Sequence, residues 1–199
     1  IARLVGSEMC IRDRYLGGHS DIVGGSIVIK ENKEYAEKIS FIQNAVGAVP
    51  SPFDCYLLTR SIKTLSVRMK QHNENAIAVS NYLSNHPKIE KVFFPGNDKR
   101  HKEIAEKQMD GFGGMMSFVI DSDINVVKTF LKNLNLFTLA ESLGGVESLI
   151  EHPAIMTHAS IDPSIREKLG ISETLLRISV GIEDVDDLIS DLDQALSKI

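Results

Sequence analysis

The stretch "LLRISVGIEDVDDLISDLDQAL", residues 175–196, decides how the chain is read. Leu175 to Gly181 is an apolar, β-branched run ending on glycine, and reads as a strand. The segment after it repeats Val185, Leu188, Ile189, Leu192, Leu196 and Ile199 at helical spacing. Asp184 is placed to cap that helix, and Asp186 and Asp187 lie at the positive end of its dipole. One residue does not belong to the pattern. Arg177 puts a guanidinium in an apolar strand, which is costly to bury unless it is paired. Alternation allows it to face outward. Equally, it can be a fork that grips a carboxylate through two parallel hydrogen bonds.

Working back from this stretch, strands and helices alternate. "KVFFPG" (91–96) and "GGMMSFVID" (113–121) read as strands. His101–Met109 and Ile124–Leu134 read as helices, the second grouping Val126, Val127, Phe130, Leu131 and Leu134. Short turns between such elements predict an α+β domain, a sheet covered by helices. Upstream, Leu58, Ile62, Leu65 and Met69 place one long amphipathic helix from Asp54 to about Asn85. Arg60, Lys63 and Lys70 lie off its apolar stripe, and Asp54 is expected as its cap. "AVPSPFD" (48–54) breaks regularity with two prolines, as a domain boundary or a helix start would. Residues 31–46 carry Tyr35, Ile39, Ile42 and Val46 at helical spacing, and "IVGGSIVIK" (22–30) reads as a strand.

The bulk numbers exclude several classes. The 199 residues are 43% hydrophobic and 25% charged, an ordinary globular balance. A net charge of −5 argues against nucleic acid or an anionic membrane as partner. No apolar run approaches the ~20 residues that span a bilayer. The opening "IARLVGSEMCIRDR" lacks the apolar core of a signal peptide. Cys10 and Cys55 are too few for a disulfide framework, so a reduced, cytoplasmic setting is expected.

Two further places invite chemistry. "GGHSD" (17–21) pairs backbone freedom with His19 and Asp21 beside an apolar run. It reads as an Asx-type turn or as a close approach to a ligand. Residues 139–160 mix Glu141, Ser142, Glu147, Glu151, His152, Thr157 and His158 with apolar residues in no clean period. Such a segment in a compact domain is more often a binding loop. His152 and His158 are six apart with Pro153 between them, the wrong spacing for a helical zinc pair, so no metal is expected.

Together, "YLGGHSDIVGG" (15–25), "QNAVGAVPSPFDCYLLTRSIKTLSVRM" (43–69), "LFTLAESLGGVESLIEHPAIMTHAS" (136–160) and the stretch at 175–196 resemble the trans-sulfuration enzymes. These are pyridoxal 5'-phosphate enzymes of cysteine and methionine metabolism. The resemblance runs from Tyr15 to the C-terminus and is greatest to the cystathionine γ-lyase and γ-synthase branches. It implies an α/β fold of the fold-type I transferase kind. The end of a large cofactor domain would occupy residues 15–50. A long linking helix and a C-terminal α+β domain with a mainly antiparallel sheet would occupy 51–199. Family chains are about twice this length, so the sequence resembles their second half.

The resemblance also implies roles. Arg177 matches the arginine that binds the substrate α-carboxylate, Ser142 a serine that helps place it, and Glu141 a glutamate near the distal ammonium of cystathionine. An anion there favours a substrate with a distant cation. The implied activity is pyridoxal-phosphate-dependent cleavage of cystathionine to cysteine, 2-oxobutanoate and ammonia. A γ-synthase using an activated homoserine ester is the alternative, and a non-catalytic C-terminal domain is the alternative of another class. A small amino-acid substrate and a homotetramer are the implied partners.

One position departs from the pattern. Aligning Tyr15 on the family's Ser-x-Thr-Lys-Tyr motif puts Ile11, Arg12, Asp13 and Arg14 where the motif has its serine, threonine and cofactor-linked lysine. Arg14 cannot replace that lysine, because a guanidinium with a pKa above 12 is not a free nucleophile. Agreement begins abruptly at Tyr15. Residues 1–14 resemble translated sequencing-adapter read-through, so they are expected to be a non-native leader, and the missing initiator Met is read as truncation.

Overall fold

The computed structural model describes residues 12–27, 29 and 33–199, and the chain divides into two compact units, 1–65 and 66–199. Most of the expected leader, Cys10, and Val28 and Lys30 of the expected first strand lie outside the described residues.

In the second unit, five strands form one sheet: β1 (Ile89–Phe93), β2 (Met115–Ile120), β3 (Thr138–Leu139), β4 (Leu149–Glu151) and β5 (Leu175–Ser179). Their order is β1-β2-β5-β4-β3, antiparallel throughout except for the parallel β3–β4 pair. The mainly antiparallel sheet was legible in advance, but β3 and β4 were not, since both are too short to show a period. β5 lies in the middle of the sheet, between β2 and β4. Its register pairs Ser117, Arg177 and Glu151 in one row across β2, β5 and β4.

Alternation then sorts the faces. Met116, Phe118 and Ile120 of β2, Ile150 of β4, and Leu176 and Ile178 of β5 all belong to one core. Helices α3 (Leu65–Ser84), α5 (Ile124–Lys132) and α7 (Val185–Ser197) close that core with Ala76, Val79 and Leu83, Val127 and Phe130, and Leu188, Leu192, Ala195 and Leu196, while α4 (Lys99–Gln108) and α6 (Pro163–Lys168) join β1 to β2 and β4 to β5. Phe118 meets Phe130 edge to face, with ring centroids 6.2 Å apart. Each such fully buried side chain contributes about 1.5–3 kcal/mol of transfer free energy. Arg177 and Glu151 stand on the opposite face.

Capping follows the sequence closely in this unit. Asp184 accepts the Asp186 amide at the start of α7, and Asp123 accepts two first-turn amides of α5. The loop from α5 to β3 is held by Asp191 of α7. Its buried carboxylate accepts the Asn135, Leu136 and Phe137 amides at 2.8–3.2 Å. Burial raises this carboxyl, but the three amides outweigh that and hold it below its ordinary value.

In the first unit, α1 (Lys33–Val46) forms where expected and α2 (Pro52–Ile62) follows the prolines. Three expectations are corrected. The single helix from Asp54 to Asn85 is two helices, α2 and α3, interrupted by a turn at Lys63–Thr64. The buried face of α3 is set by Arg68, His72, Asn75, Ala76, Val79 and Leu83 rather than by extension of the Leu58–Met69 stripe. The cap of α2 is Ser51, not Asp54. Ser51 Oγ accepts the Asp54 amide at 3.0 Å and donates to the Asp54 carboxylate at 2.9 Å, with Pro52 at the first helical position. The run 22–27 carries no strand, although Val23 and Ile27 have strand-forming side chains. A strand exists only as part of a hydrogen-bonded ladder, and no described residue pairs with this run.

Candidate active site

The site is assembled on the sheet face turned away from the helices. Arg177 sits at the midpoint of β5 with its side chain 29% exposed, and Glu151 at the end of β4 is 2% exposed. The two are register partners, and Arg177 Nη2 lies 2.8 Å from Glu151 Oε2. The contact is one of charge and proximity, since no N–H is aligned on that oxygen. Arg177 Nη2 also donates to the Glu141 carbonyl, at a long 3.5 Å. Among the described residues, no other acceptor takes the guanidinium's N–H groups. The fork is thus charged, half-exposed and largely unspent.

Glu151 is the residue that sequence reasoning passed over as one of several polar groups in a long segment. Its signal was a carboxylate directly after an apolar pair, "LIEHP". Burial pushes its carboxyl above the ordinary glutamate value, partly offset by the Arg177 charge, the Thr157 hydroxyl and His158. Thr157 Oγ1 donates to Glu151 Oε1 at 3.3 Å and lies 2.8 Å from His158 Nδ1.

Glu141 and Ser142 follow β3 directly and are both exposed. The structure brings the Glu141 backbone to Arg177, while Ser142 stands beside it on the same turn. The turn is pinned from below. Gly144 N–H donates to Ser179 Oγ at 2.8 Å, and Ile182 N–H donates to the Val146 carbonyl at 2.9 Å. Ser148 donates its amide and hydroxyl to the two carboxylate oxygens of Glu183, and its hydroxyl accepts the Gly181 amide. Gly181 is required for this closeness: a Cβ there would meet the Val146 carbonyl at 2.3 Å. Helix α3 holds the same corner. His72 Nδ1–H donates to the Val180 carbonyl at 2.7 Å, and Asn75 donates to the Gly181 and Glu183 carbonyls. Burial lowers the His72 pKa, with the Val180 bond opposing.

His152 is buried and donates from Nε2 to the Glu173 carbonyl at 2.7 Å, a structural role. Among the described residues, no three His, Cys, Asp or Glu converge as metal ligands. In the first unit, the segment "GGHSD" forms a turn. Gly18 has φ +76° and donates its amide to the Arg14 carbonyl, and His19 Nδ1 lies 3.0 Å from the Gly17 carbonyl.

A guanidinium fork over a tethered loop of this sequence matches one family model, "Cys/Met metabolism PLP-dependent enzyme", over residues 11–197. The chain belongs to that family. A cystathionine γ-lyase of Dictyostelium discoideum is 54% identical over 93% of this chain and 48% of its own length. A cystathionine β-lyase of Coxiella burnetii is 52% identical over 92% and 48%. Among solved structures, a cystathionine γ-lyase from Lactobacillus plantarum complexed with L-serine superposes with TM-score 0.85 at 44% identity, over 94% of this chain and 49% of that one. A cystathionine γ-synthase from Xanthomonas oryzae pv. oryzae, in complex with aminoacrylate and cysteine, gives 0.87 at 44%, over 94% and 48%. The chain spans about half the length of the curated relatives it matches. The α/β fold expected from the sequence is that of the family, and its cofactor is pyridoxal phosphate.

The residues here do not fit covalent anchoring of that cofactor. Arg14 stands at the position expected for the anchoring lysine, and its guanidinium has no free amine to offer. In the second unit, the Arg177 guanidinium on β5 is a cation with a partly exposed side chain. No helix among the described residues is long and apolar enough to cross a membrane.

Proposed function

We propose that residues 66–199 supply the substrate-carboxylate wall of a carbon–sulfur lyase whose whole enzyme cleaves L-cystathionine. The overall reaction consumes water and yields cysteine, 2-oxobutanoate and ammonia. The observation that carries this reading is the Arg177 fork, half-exposed on the open sheet face with most of its N–H groups unspent. Such a fork binds a carboxylate in two parallel, charge-assisted hydrogen bonds and fixes its orientation as well as its position. Ser142, exposed on the neighbouring turn, adds a hydroxyl to the same carboxylate. Glu141 attracts the distal ammonium of cystathionine, which methionine lacks. Pyridoxal phosphate, when bound, supplies an electron sink. We place the working enzyme in the cytoplasm, in keeping with the two cysteines of this sequence, and make it a homotetramer on its likeness to the family.

γ-Synthase activity is the second reading, favoured by the close superposition on a γ-synthase fold. The test uses the enzyme at the length of its relatives with Arg14→Lys, offered cystathionine alone or an O-acylhomoserine with cysteine. Release of 2-oxobutanoate from cystathionine supports the lyase. Cystathionine formation from the ester at a much higher kcat/KM supports the synthase. Neither product from the folded, cofactor-loaded protein refutes both and favours a non-catalytic domain.

A further inference from the structure

The buried Glu151 carboxylate lies directly beside Arg177. We propose that Glu151 is a positioning residue for carboxylate recognition: it seats the Arg177 guanidinium from the sheet side and, by cancelling part of its charge, limits how tightly a substrate carboxylate is held. The inference rests on the assignment of Arg177 as the carboxylate fork.

Three observations carry it. Glu151 and Arg177 are register partners on adjacent strands, so the sheet itself fixes their approach. Glu151 is almost wholly buried and Arg177 is not, so the anion lies behind the cation and leaves the cation's outer edge to a ligand. The 2.8 Å contact is not an aligned hydrogen bond, so the carboxylate tempers the charge without consuming the donor edge. An arriving carboxylate therefore meets a partly neutralised pair rather than a bare cation. Two charges near 4 Å interact appreciably even at the dielectric of a protein surface. The arrangement suits an enzyme that must release an amino-acid or oxo-acid product through the same fork.

The experiment uses the cofactor-loaded enzyme at the length of its relatives, carrying Arg14→Lys, and measures its competitive inhibition by L-alanine and by L-alaninamide, which differ at the carboxylate. Glu151→Gln keeps the shape and an acceptor but removes the charge, and it lowers Ki for L-alanine about three- to tenfold. Glu151→Asp keeps the charge on a shorter arm and gives no tightening. L-Alaninamide responds to neither. The proposal is overturned if Glu151→Gln leaves Ki for L-alanine unchanged or raises it, if Glu151→Asp tightens equally, or if alaninamide shifts in parallel. Failure of Glu151→Gln to fold where Glu151→Asp folds would make Glu151 a stability residue alone and also overturn it. If the parent enzyme does not prefer alanine to alaninamide, the assignment of Arg177 falls first, and this inference with it. Preference in the parent without tightening in Glu151→Gln removes only the role of Glu151.

Discussion

Glu151 and Arg177 face each other across β4 and β5 at 2.8 Å, the carboxylate buried and the guanidinium half in solvent. The asymmetry matters more than the pairing. An exposed pair would contribute about 0–1 kcal/mol and say little. Here the anion is held by the fold, and the cation is the group left able to meet a ligand.

Replacing Arg177 tests the fork directly. Arg177→Ala should cost substrate binding ~2–5 kcal/mol, the usual loss when one member of a desolvated charged pair is removed. Cofactor content should hold in the enzyme at the length of its relatives carrying Arg14→Lys. Arg177→Lys should recover only part, because an ammonium cannot make the bidentate contact. KM for cystathionine, measured beside cofactor content, checks this. Equal loss of both would remove the carboxylate role.

Glu141 governs substrate choice in this scheme. Glu141→Val should lower kcat/KM for cystathionine relative to methionine, since only cystathionine carries the distal ammonium. Parallel assays on the two substrates decide it. An unchanged ratio would dismiss the assignment.

Asp191 is a stability prediction independent of activity. Asp191→Asn leaves at least one of the three amides facing an NH2 group and removes the charge from the others, and should cost about 1–3 kcal/mol. Its carboxyl is held below the ordinary value, so its contribution is present above the unfolded pKa and is lost as pH falls through the folded value. Denaturant melts should show the difference between Asp191→Asn and the parent shrinking below about pH 4.

Glu151 carries the opposite sign. Burial raises its carboxyl, so its favourable contribution belongs to the protonated form and fades as pH rises through the folded value. Glu151→Gln should match the parent near pH 4 and gain on it towards pH 8. Melting temperatures across that range check this, and a gain that narrows with rising pH would contradict it.

The 199-residue chain made alone should self-associate. Tyr35, Phe41, Ile42 and Val46 of α1 and Phe53, Tyr56 and Ile62 of α2 are all exposed, and neither helix has a buried residue. Apolar surface of that extent favours aggregation. With Arg14 at the lysine position, the chain should also show no visible absorption from bound cofactor. Light scattering and a cofactor titration measure both. A soluble monomer with a cofactor band would contradict the reading.

Local pattern was enough for much of this protein. The capped helix after Val180, the strands around Phe118 and Leu176, and the misfit of Arg177 all follow from spacing and from the cost of burying charge. So does the place of Glu141 and Ser142 in an irregular segment. Three matters were decided by tertiary structure. The run at 22–27 has strand-forming side chains but no strand, because a ladder needs a partner that propensity cannot supply. The helix after Ser51 breaks at Lys63–Thr64, and a buried face exists only beyond the break, on α3. Glu151 became the partner of Arg177 only when β4 and β5 came into register, across 25 intervening residues. A strand three residues long shows no period, so its sequence cannot say which neighbour it will meet. That choice belongs to the sheet.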